Sequence, residues 1–144
     1  MDTAPLVDIG HVIQLAVAPV FLLSGIGIVL TLLTSRLARV VDRARRLEDA
    51  ARGSEGAALE ERRRELRLMA HRCRLMNQAI TLGTSSALLV AVVVVLLFLA
   101  ALLDFNARVA IASLFILAML ALIGALLLFL REVYLATVSL RIGV

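Results

Sequence analysis

Lysine and tryptophan are absent from the 144-residue chain, and tyrosine and cysteine each occur once. A single cysteine, Cys73, excludes an intrachain disulfide framework. It has no partners for a metal site, the only histidines being His11 and His71. No P-loop, Rossmann glycine pattern, HExxH or nucleophile elbow is present. No general base or ligand cluster accompanies a serine or the cysteine, so neither an enzyme nor a bound cofactor is expected. Aspartate, glutamate and arginine are missing from three long stretches, 11–33, 79–103 and 109–130. Without an intramembrane carboxylate, proton-driven transport is disfavoured. Three unequal stretches also cannot supply an inverted repeat.

What fills those stretches is apolar. The apolar share is 62% and the mean hydropathy +1.01, against ~45–50% apolar for a soluble domain. A span needs ~20 apolar residues, and each stretch is long enough. The expected fold is all-α and integral to the membrane: three transmembrane helices in one domain, 1–144. All 15 basic residues are arginine, and 12 of them fall in the segment 36–74. By the positive-inside rule this segment is cytoplasmic. The N-terminus, with Asp2 and Asp8, is then outside, and the C-terminus, with Arg131 and Arg141, inside. The first span lacks a basic leader and reads as a retained anchor. The charge balance of +4 is explained by orientation, so nucleic acid is not an expected partner.

Between the first two spans the only turn signal is 53–56, Gly-Ser-Glu-Gly. Gly53 suits the end of one helix, and Ser54 suits the N-cap of the next. Residues 36–76 are therefore expected to form a cytoplasmic helical hairpin whose arms continue the spans. Leu37, Val40, Ala44, Leu47 and Ala51 form one apolar stripe. Leu59, Leu66, Met69, Cys73, Met76 and Ile80 form the other, broken once at Arg62 or Arg63. Such arms pack as a short coiled coil. Cys73 reads as a small packed residue. Outer pairs are expected for Asp42 with Arg46, Arg45 with Asp49 and Glu60 with Arg64. Only 104–108 separates the second and third spans, a tight turn.

Polar residues inside apolar runs carry a family resemblance. Residues 15–27 (LAVAPVFLLSGIG), 36–45 (RLARVVDRAR), 74–80 (RLMNQAI) and 129–133 (FLREV) resemble the signatures of the bacterial three-span proteins catalogued as DUF2721, a domain of unknown function. The resemblance covers nearly the whole chain. It implies the class and the bacterial inner membrane, and adds no chemistry.

Along the first span a 3.5-residue seam runs through Gln14, Val17, Phe21, Ser24, Ile28, Thr31, Ser35 and Ala38. In the second, Asn77, Thr81, Thr84, Ser85 and Leu88 share a face. One reading is helix packing, with Thr31, Thr34 and Ser35 against Thr81, Thr84 and Ser85 within one subunit. The other is a homo-oligomeric pore lined by Gln14, Ser24, Thr31 and Ser35, with Phe21 and Ile28 as apolar constrictions. Arg36, Arg39 and Arg43 then form basic rings at the cytoplasmic mouth, which favour anions. The rival for these arginines is orientation and contact with anionic headgroups, which makes the protein a non-conducting scaffold acting through its hairpin. Pro19, with Gly25 and Gly27, suits a hinge. His11 suits interfacial solvation. Arg131 and Glu132 do not face each other on a helix, so Glu132 requires another arginine, with Arg36, Arg39 and Arg74 at similar depth.

Overall fold

The computed structural model describes the backbone of residues 4–142 and the side chains of 9–138 and 140. Asp2 lies outside the described residues, and the side chains of Asp8 and Arg141 lie outside the described set. The chain forms three helices: α1 (Ala4–Arg52), α2 (Ala57–Leu103) and α3 (Arg108–Ile142). Each contains a stretch long and apolar enough to cross a membrane. The helices expected over 36–76 are extensions of α1 and α2, with no break where the apolar runs end.

Burial follows a seven-residue interval on every helix, which keeps one stripe of each turned toward its neighbours. The chain divides into two compact units. The first holds residues up to Leu30 together with Leu82–Ile123. Its interior is Ala16, Pro19 and Ile26 on α1, Gly83, Ser86, Val90 and Val93 on α2, and Ala118 on α3. Ile26, Val90 and Ala118 meet at its centre, with Leu22, Leu23 and Leu122 packed around them. Small residues at these positions allow close helix approach. The Ser86 hydroxyl uses that approach to donate to the Ala118 carbonyl at 2.7 Å, in full burial.

The second unit holds Thr31–Thr81 together with residues from Gly124 on. Its buried positions are Leu33 on α1, Met69, Leu75, Met76 and Ala79 on α2, and Ala125 and Glu132 on α3. The expected apolar stripe of α1 continues from Leu33 as half-buried Leu37, Val40, Ala44, Leu47 and Ala51. On α2 it is Arg62 that interrupts the stripe: it is half-buried, and its guanidinium donates to the Ala50 carbonyl. Ser54 departs from expectation. Its hydroxyl donates back to the Ala50 carbonyl at 3.0 Å, so it caps the end of α1 and does not start α2. The α2 start falls to Gly56, whose carbonyl accepts from the Glu60 amide at 3.3 Å. A serine hydroxyl near a helix end has free carbonyls within reach, which explains the exchange of roles.

Turn 104–107 is closed by a Phe105 amide bond to the Ala100 carbonyl, the pattern of a left-handed helix end. Asp104 supplies the positive φ of 50°, and Asn106 accepts the Arg108 amide to start α3. Gly56 has a φ of 69° with open space where a Cβ would stand. Gly56→Ala is therefore expected to cost about 1–2 kcal/mol from the backbone alone. Gly53→Ala, where no such angle occurs, is expected to stay within about 0.5 kcal/mol. The shift in detergent unfolding midpoint measures both.

Candidate functional site

Glu132 is the most deeply buried charged group among the described residues, 1% exposed. Its place follows from the α3 periodicity: Ala118, Ala125 and Glu132 are spaced by seven and all face inward. A carboxylate without water needs paired charge and hydrogen-bond donors. Both come from the other two helices. Arg36 Nη1 of α1 donates to Oε2 at 3.0 Å, and Arg72 Nη2 of α2 donates to Oε1 at 2.8 Å. Each carboxylate oxygen thus has its own guanidinium, and the three helices of this unit are tied through one side chain. Phe129, one turn earlier on α3, lies under the Arg36 guanidinium with 5.3 Å from its carbon to the ring centre, a cation–π contact.

Of the arginines at similar depth, Arg36 is the partner, whereas Arg39 and Arg74 point out to the exposed side. Arg72 was not among the expected partners. A signal for it exists, since Arg72 stands seven residues before Ala79 on the same inward stripe as Ser86 and Val93. Ser86 was overlooked for the same reason, beside the more conspicuous Thr84 and Ser85. The outer pairs Asp42 with Arg46, Arg45 with Asp49 and Glu60 with Arg64 are not closed as ion pairs. An exposed pair gains little and costs side-chain entropy.

The seam residues are placed as follows. In the first unit Gln14, Phe21, Ser24 and Ile28 are exposed on α1, Phe21 at 74% and Ile28 at 73%. Pro19 is buried within the unbroken helix. A Cβ on Gly25 or Gly27 would meet nothing within 4 Å. Thr84 and Ser85 are exposed on α2. In the second unit Thr31 and Ser35 are exposed on α1, and Asn77 and Thr81 on α2. Thr34 donates to the Thr31 carbonyl and Thr81 to the Asn77 carbonyl, local bonds of the kind hydroxyls make within a helix. His11 is exposed and Cys73 half-buried. No group of three or more potential metal ligands occurs among the described residues.

The three arginines expected as a basic ring take different positions. Arg36 is held by Glu132. Arg39 is exposed. Arg43 lines a cavity of about 560 Å³, together with Glu65, Leu68, His71 and Arg72 of α2 and Arg131, Leu135 and Val138 of α3.

Three long apolar helices tied through a buried ionic cluster define a multi-pass membrane protein. The chain belongs to the family described as Protein of unknown function (DUF2721), which matches residues 16–142. No curated protein and no solved structure matches it.

Glutamine at 132 leaves two guanidiniums with no countercharge and one amide oxygen between them, since the amide nitrogen cannot accept. Glu132→Gln is expected to cost about 2–3 kcal/mol, below the full figure for a sealed pair, because Arg36 and Arg72 are 38% and 26% exposed. Arg39→Gln is expected to stay within about 0.5 kcal/mol. Unfolding in detergent measures the contrast.

Proposed function

We propose that the protein is a homo-oligomeric pore of the bacterial inner membrane, lined by the first transmembrane helix. The observation that carries the reading is the α1 seam. Val17, Phe21, Ser24 and Ile28, and then Thr31, Ser35 and Ala38, are all exposed, while the opposite stripe of α1 is buried against the chain's own helices. Polar and small side chains facing lipid lose contacts that another helix or water supplies. Gly25 and Gly27, open to a Cβ, offer a neighbouring copy a close approach. Three helices are too few to enclose water, so a closed ring of copies is required. Gln14, Ser24, Thr31 and Ser35 then line the path, and Phe21 and Ile28 narrow it. Arg39 stands at the cytoplasmic mouth and favours anions. The extensions of α1 and α2 form the cytoplasmic coiled-coil hairpin, with the N-terminus outside and the C-terminus inside. The protein is not an enzyme.

The second reading is a non-conducting scaffold acting through the hairpin. The exposed Arg45, Arg46, Arg63 and Arg64 support it. The two separate in liposomes. A pore conducts under voltage or tension, and Ser24→Leu or Thr31→Leu lowers ion flux while the oligomer survives. Wild-type flux equal to protein-free liposomes rules the pore out. A scaffold loses a lipid or protein partner on charge reversal of Arg46, with no flux to change.

A further inference from the structure

We propose that the cavity bordered by Arg43, Arg72 and Arg131 binds the phosphate headgroup of an anionic phospholipid. The proposal does not depend on whether α1 conducts. At about 560 Å³ the cavity is in the size range of ligand sites. Among the described residues, three guanidiniums line it against one carboxylate, Glu65. Glu132 shares its carboxylate between Arg36 and Arg72, so its one charge offsets Arg72 and leaves Arg43 and Arg131. It engages Arg72 through Nη2 only, and the Arg72 Nε is buried with no acceptor. Arg131 is adjacent to Glu132 in sequence and so diverges from it around the helix. The wall therefore keeps the positive charge of Arg43 and Arg131 with Glu65 as its acid.

The level of the cavity identifies the anion. Arg131 directly follows the apolar run 109–130, and exposed Tyr134 stands one turn beyond. Tyrosine at the end of a span marks the headgroup layer. Basic pockets between transmembrane helices on this side of the membrane suit lipid phosphates. Beside His71, the wall carries apolar Leu68, Met69, Leu135 and Val138. A soluble phosphate gains nothing from that surface, whereas the glycerol and first chain carbons of a lipid are sheltered by it.

The test is native mass spectrometry of the purified full chain in detergent. Phosphatidylglycerol, phosphatidylcholine with the same chains and inorganic phosphate are added in turn. Phosphatidylglycerol is expected to be retained in preference to phosphatidylcholine. Arg43→Gln and Arg131→Gln are each expected to weaken its retention about fivefold, the effect of one arginine near anionic lipid. Arg74→Gln, exposed on α2 outside the cavity lining, is expected to leave retention unchanged. Leu135→Ser, which keeps every charge, is expected to weaken it. Equal retention of both lipids overturns the proposal. So does an Arg74→Gln loss as large as the others, which indicates diffuse surface charge. Displacement of the lipid by an equal concentration of inorganic phosphate also overturns it, and assigns the cavity to a soluble anion.

Discussion

A carboxylate that has left water must find its charge partners wherever the chain puts them. Glu132 finds two, one on each of the other helices, and each oxygen is spoken for. The geometry tolerates little rotation. Turning a helix by one residue moves its side chains by ~100° and would carry Arg36 or Arg72 away from the acid. The orientation of α1 in this unit is thereby coupled to that of α3. Phe129 adds to the constraint, because the ring and the carboxylate stand one turn apart and hold the same guanidinium from two sides. Such a cluster is a weak source of net stability, since desolvation offsets much of the attraction. Its stronger effect is on register: alternative packings strand a buried charge.

The orientation of α1 decides what the helix offers to its surroundings. With Leu33 inward and Arg36 on Glu132, the stripe of Thr31, Ser35 and Ala38 is left outside. The same helix carries Ser24, Phe21 and Ile28 exposed in the other unit, at intervals that continue the pattern. Two stripes of seven-residue periodicity therefore share one helix. One is closed within the chain. The other mixes hydroxyls, glycines and large apolar groups, a composition that suits contact with further copies and a path between them better than contact with lipid chains.

Much of the architecture was legible in the residues. Charge-free runs of span length mark the three helices, and the absence of a breaker between Leu33 and Arg52 marks the α1 extension. The need of Glu132 for a distant arginine was legible too, because its neighbour Arg131 cannot reach it on a helix. Its second partner was not. Arg72 sits among Arg67 and Arg74 in a segment where every arginine serves orientation equally well, and only the inward stripe through Ala79 and Ser86 distinguishes it. Ser54 misled for a related reason: its hydroxyl suits either helix end, and local geometry chose the carbonyl of Ala50.

Accessibility along α1 in a lipid bilayer tests the central claim most directly. Single cysteines replace Ser24, Ile26, Thr31, Leu33 and Ser35 in turn, in a Cys73→Ser background, and each carries a spin label. The account predicts that a water-soluble relaxing agent reaches labels at 24, 31 and 35 and leaves 26 and 33 untouched by water and lipid alike. Labels at 24, 31 and 35 that respond only to a lipid-soluble agent, or water reaching 26 and 33, would contradict it.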